Sequence, residues 1–139
     1  MLMKSRQVCW FEIPAKNLDR AIAFYSSFLS VQIEKRLLLD KYYGVFDKNT
    51  HLISGCLVEK ENYSPGNGTV IFFCVDDLSE ALRRTIDGNG SVVIPKTLIK
   101  QSNNSGDIIV SKNLIDENIG YFAEIIDTEG NHIGLYSNS

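Results

Sequence analysis

Metal-binding and redox side chains are scarce in this chain. Its 139 residues include two histidines, His51 and His132, and three cysteines, Cys9, Cys56 and Cys74. The cysteines are odd in number, lack C-x-x-C spacing and each lies in an apolar run, which excludes a disulfide framework and predicts reduced, buried thiols. Neither sign of charge gathers into a run: 14 Lys+Arg against 17 Asp+Glu leave a net charge of -3, which excludes nucleic acid and anionic membrane as partners. No stretch approaches the ~20 apolar residues of a membrane span, and the start "MLMKSRQVCWFEIP" lacks the apolar core of a signal peptide, so a cytoplasmic protein is expected. There is no G-x-S-x-G, no Walker A and no G-x-G-x-x-G following a strand.

What is present is a duplicated pattern. Residues 8–29, "VCWFEIPAKNLDRAIAFYSSFL", overlie residues 69–90, "TVIFFCVDDLSEALRRTIDGNG", at an offset of sixty. Phe11, Ile13 and Ala15 then match Ile71, Phe73 and Val75, while Asn17, Leu18, Ala21 and Ile22 match Asp77, Leu78, Ala81 and Leu82. Each copy opens with alternating apolar residues that suit a strand and passes through an Asx residue into an amphipathic helix. Asn17 is an N-cap with Asp19 in the first turn; Asp77 and Glu80 have capping-box spacing. The first helix presents Leu18, Ile22, Tyr25, Phe28 and Leu29, and the second presents Leu78, Ala81, Leu82 and Ile86 before stopping at Gly88.

Three further strands follow each helix. They are "VQIEKRLLL", "YYGVFD" and "LISGCLVEK" in the first half, then "SVVIPKTLI", "YFAEIID" and "HIGLYS" in the second. The stretch "ENYSPGNG" reads as a linker, which gives one domain over 1–139 with a first module of about 6–60, a linker at 61–68 and a second module of about 69–137.

The doubled unit, together with "WFEIPAKNLDRAIAFY", "VDDLSEAL" and "DTEGNHIGLYS", resembles the vicinal oxygen chelate superfamily of glyoxalase I, bleomycin-resistance proteins and extradiol dioxygenases. The resemblance implies an α+β fold of two βαβββ modules forming a cupped, partly closed mixed β-barrel with helices outside. Catalytic members hold a divalent metal in the cup. The positions that carry their ligands correspond here to Trp10, Val70 and Gly134, whose side chains cannot coordinate, so no metal and no cofactor are expected.

Alternation along the strands selects the candidate site. Trp10, Glu12 and Pro14 share the concave face of the first strand, Val70, Phe72 and Cys74 that of the fifth, and His132, Gly134 and Tyr136 that of the last. The expected lining is Trp10, Val70, Phe72, Tyr136 and Tyr121, with His132 at the rim as a turn-stabilising residue and Glu12 as the polar feature. Glu12 is read either as a ligand anchor or general base desolvated beside Trp10, or as a carboxylate paired with a basic residue such as Lys96 or reaching solvent. His51 is read as a solvated loop residue. The polar stretch 100–118 is longer than a hairpin needs and is read as a cover over the mouth or as edge decoration, with "DIIVSK" as a short extra strand.

The function expected is metal-free binding of a small organic molecule in the cup of a homodimer. A glyoxalase-like lyase or isomerase with non-standard metal ligands is the enzymatic alternative, and a non-catalytic interaction or regulatory module is the third.

Overall fold

The computed structural model describes residues 10–46, 54–61, 64, 69–102, 105, 108–109, 113 and 115–139; Cys9 and His51 lie outside them. The chain divides into two compact units, Met1–Pro65 and Gly66–Ser139, and the division falls within the stretch that reads as a linker.

The first unit runs β1 (Trp10–Ala15), α1 (Leu18–Phe28), β2 (Ile33–Leu38), β3 (Lys41–Phe46) and β4 (Ser54–Glu59). Its strands order as β1-β4-β3-β2, with β1 parallel to β4 and the other pairs antiparallel. Asn17 caps α1 by accepting from the backbone N–H of Arg20 at 3.0 Å, and Leu18 N–H donates to Glu59 Oε1 at 2.9 Å, which ties the helix start to the end of β4. Leu18, Ala21, Phe24, Tyr25 and Phe28 of α1 are buried, while Ile22 and Leu29 are half-buried. One face of the sheet meets this helix. A Cβ at Gly44 would stand 2.8 Å from Ile22, Tyr25 packs edge-on against Phe46, and the Phe11 ring lies where a Gly55 side chain would begin, 2.5 Å from that Cβ position.

The second unit repeats the plan: β5 (Ile71–Cys74), α2 (Leu78–Asp87), β6 (Ser91–Leu98), β9 (Tyr121–Ile126) and β10 (His132–Ser137), ordered β5-β10-β9-β6 with β5 parallel to β10. Between β6 and β9 lie β7 (Gln101–Ser102) and β8 (Ile108–Ile109), a separate antiparallel pair that realises the extra strand expected in "DIIVSK". Asp77 accepts from Glu80 N–H at 3.1 Å, but the Glu80 carboxylate turns to Arg83, so only half of a capping box forms. Leu78, Ala81 and Thr85 form the buried stripe of α2, and Ile86 is 60% exposed, contrary to the sequence expectation. One residue is 100° of helix, which carries Ile86 off the face; the Thr85 hydroxyl is accommodated there by donating to Ala81 O at 2.9 Å.

The turn between β9 and β10 is organised by Asp127. Its Oδ1 accepts from the backbone N–H groups of Glu129 and Asn131, each at 2.8 Å, and Gly130 supplies the positive φ of 92° that the turn demands. The two βαβββ modules are therefore present as expected. Each sheet is open, with β1 and β2 or β5 and β6 as its edges, which matches the expectation of a partly closed barrel only in part.

Candidate functional site

In the second unit the pairing register sorts the sheet into two faces. Ala123, Ile125, Ile133 and Leu135 share the fully buried one, and α2 packs on β6, β9 and β10. The opposite face carries Phe72, Gly134 and Glu124 in one row across β5, β10 and β9. Gly134 is needed there: the Phe72 ring lies across it, 2.4 Å from where a Cβ would be, and Phe72 is still 49% exposed. Two residues back along β10, His132 Nδ1 stands 2.8 Å from Glu124 Oε1, with only 18% and 21% of the two side chains exposed. A carboxylate on Nδ1 selects, for a neutral ring, the tautomer with its proton on that nitrogen and Nε2 as the acceptor.

The corresponding face of the first unit is packed at its centre and exposed at Trp10 and Glu12. Val45, Cys56 and Val58 form a buried cluster with Tyr43 packed against it. Glu12, opposite Cys56 in the parallel pair, forms an ion pair with Lys60 at 3.1 Å and receives a 3.9 Å contact from the Cys56 thiol. The carboxylate is thus partnered by Lys60, not by Lys96, which stands 4.6 Å over the Tyr121 ring in the second unit. Burial pushes the Cys56 thiol up to about 11, and the adjacent Glu12 charge adds to the shift. Trp10, at the start of β1 opposite Ser54, is exposed, and Cys74 is exposed as well, which corrects the expectation that the thiols are buried: β5 points it, like Phe72, away from the covered face.

Tyr136 shares the face of Phe72 and Glu124, but its hydroxyl is fully engaged. It donates to Asp116 Oδ1 at 2.6 Å and accepts from Asn113 Nδ2 at 2.7 Å and Asn138 Nδ2 at 3.0 Å. Burial and then the Asp116 bond raise the phenol above its ordinary range, and the same bond lowers the Asp116 carboxyl. Asn113 and Asp116 are in this way fastened onto the end of β10, and Tyr136, 3% exposed, belongs to the packing and does not line an open surface. Tyr121 pairs with Ser137, so alternation places it with Ala123 and Ile125 on the covered face, away from Phe72. Val70 is half-buried and precedes β5 by one residue.

Comparison with solved structures settles the architecture. A hypothetical protein from S. aureus superposes with a TM-score of 0.63 at 20% identity, covering 96% of this chain and 99% of that one. A glyoxalase/bleomycin resistance protein/dioxygenase from Alicyclobacillus acidocaldarius gives 0.57 at 13% identity, over 98% and 94%. A glyoxalase I mutant from Zea mays gives 0.61 at 15% identity, over 94% of this chain and 46% of its own. The fold is that of the glyoxalase/bleomycin resistance/dioxygenase proteins. No family model and no curated protein matches the chain.

Within this fold the donor set is thin. Among the described residues no three His, Cys, Asp or Glu side chains converge, and Trp10, Val70 and Gly134 offer no donor atom for a divalent ion. Glu124 was missed by sequence reasoning. The available signal was its place in the alternation of "YFAEIID"; its position directly across from Gly134 depends on the β9–β10 register.

Proposed function

We propose that the chain binds a small, flat organic molecule without a resident metal, on the face of the second sheet that carries Phe72. One observation supports this most: a half-exposed aromatic ring lies flat over a glycine, beside a largely covered carboxylate–imidazole pair. An apolar platform with a small number of directed polar groups is the usual make-up of a small-molecule site. Pairing into a homodimer in the cytoplasm belongs to the same reading.

The test is a panel of planar aromatic compounds followed by ligand-observed NMR. Phe72→Ala should weaken the best binder by roughly 1–3 kcal/mol through lost stacking and apolar burial. Glu12→Gln examines the first unit as the alternative anchor and should leave binding unchanged. If it weakens binding as Phe72→Ala was expected to, the site lies at Glu12; if no compound binds the parent, the binding reading falls.

The metal-dependent lyase reading has one observation in its favour, since Glu124 and His132 are two competent donors already in contact. Elemental analysis of protein purified without chelator separates the two: about one divalent ion per chain, lost in His132→Asn, would replace metal-free binding with metal chemistry.

A further inference from the structure

Resting on that reading of the Phe72 face, we infer that His132 and Glu124 form a proton-accepting dyad for a phenolic ligand whose ring stacks on Phe72. The pieces are contiguous. Phe72, Gly134 and Glu124 lie in register on three neighbouring strands, and His132 stands on the same face of the middle one. The 2.8 Å contact occupies Nδ1, so a neutral ring has its acceptor lone pair at Nε2, for which no hydrogen-bond partner is found among the described residues. At 18% and 21% exposure the pair is shielded from most competing water and still reachable.

The chemistry selects the ligand class. Nε2 of a neutral imidazole requires a donor, and the flat platform requires an aromatic ring; a phenol supplies both in one plane. On binding, the ligand O–H bond breaks, its electron pair remains on the phenolate oxygen and the proton passes to Nε2. The imidazolium so formed lies between the phenolate and the Glu124 carboxylate, so each negative charge faces a positive one, and no oxidant or co-reactant is needed. Other titratable groups on this face are few. Cys74 of β5 lies opposite Tyr136, the Tyr136 hydroxyl is held by Asp116, Asn113 and Asn138, and β6 sets uncharged Ile94 and Ser91 opposite Glu124 and Ile126. His132 is the proton acceptor, and Glu124 is a positioning residue acting through it.

The probe is 4-nitrophenol, whose phenolate absorbs at longer wavelength than the phenol and whose acidity is close to that of an imidazolium. At a pH where the free probe is mostly protonated, the parent protein should bind it and develop the phenolate band. His132→Asn, which keeps a hydrogen-bonding group toward Glu124, should bind about tenfold or more weakly and lose the band. Glu124→Gln should bind within a few fold of the parent and show a much weaker band, a readout that a purely structural role would not move. Circular dichroism checks that each variant is folded. Should His132→Asn fail that check, 4-nitroanisole on the parent takes its place: lacking the proton, it should bind about tenfold or more weakly than the phenol. A parent complex without the phenolate band overturns the dyad, as does a folded His132→Asn that binds and ionises the probe normally or a 4-nitroanisole that binds as tightly as the phenol. If other planar compounds bind and 4-nitrophenol does not, the phenol assignment fails and the binding reading stands; if none binds, both fail.

Discussion

The same row of three positions is spent differently in the two units. In the first, Glu12, Cys56 and Val45 stand side by side across β1, β4 and β3; in the second, Phe72, Gly134 and Glu124 do so across β5, β10 and β9. In the first row Val45 and Cys56 are buried together, and Glu12, exposed at the sheet edge, is bridged to Lys60. In the second row the glycine makes room for a ring, the ring stays half exposed, and the carboxylate turns to an imidazole. Two copies of one backbone plan thus diverge by three side chains into a packed face and a face with directed chemistry. Fold and site are separate questions here, and the proposed site lies in the second unit.

The two glycines test this contrast most severely. Gly55 and Gly134 both lie beneath a phenylalanine ring, with a Cβ position 2.5 Å or less from its carbons. Phe11 above Gly55 is held against Phe46, their centroids 5.3 Å apart, and Phe46 is itself packed on Tyr25. Phe72 above Gly134 has a largely open side. Gly55→Ala should therefore cost about 1–3 kcal/mol in urea denaturation, the range for overfilling a packed site, and Gly134→Ala less than half as much because the ring can swing away. Equal costs would show that Phe72 is as confined as Phe11.

A smaller effect is expected at the segment fastened to the second unit. Asn113 Oδ1 accepts from the backbone N–H groups of Ile115 and Asp116 at 2.8 and 3.2 Å, and its Nδ2 donates to the Asn118 carbonyl. Asn113→Ala removes all of these at a buried position and should cost about 1–2 kcal/mol. Hydrogen exchange should quicken at the amides of residues 115–120 and stay unchanged in α1. Protection that is kept throughout would mean the segment is held by something other than Asn113.

How much of this was legible in the sequence differs by level. The sixty-residue offset, Asn17 and Asp77 as caps, and the turn at Gly130 are local patterns, and seven of the eight main strands lie within the segment read for them, β3 starting one residue earlier at Lys41. Strand parity also placed Phe72, His132 and Tyr136 on one face. What failed was information held between strands. Lys60 meets Glu12 only because β1 runs parallel to β4, Glu124 meets His132 only through the β9–β10 register, and Tyr121 was assigned without regard to its partner Ser137. The engagement of Tyr136 by Asn113 and Asp116 joins residues twenty or more apart through a loop without periodicity.

The two described cysteines extend the contrast to a last and smaller effect. Cys56 is buried in the first unit and Cys74 is exposed in the second. Iodoacetamide at mildly alkaline pH should therefore alkylate Cys74 in the folded protein and spare Cys56, as peptide mass spectrometry would read directly. The held proton on Cys56 also gives the first unit a distinct pH dependence. Its thiol is raised from an ordinary 9.0 to about 11 in the folded chain, so between these values the folded state keeps a proton that the unfolded state has released. The contribution is fully present below pH about 9 and is lost as pH rises toward about 11. Denaturation midpoints for the parent should fall more steeply across that window than those of Cys56→Ala, which lacks the titrating group, whereas Cys74→Ala should track the parent. Parallel pH profiles for the parent and Cys56→Ala would show that the thiol is not held neutral in the folded chain.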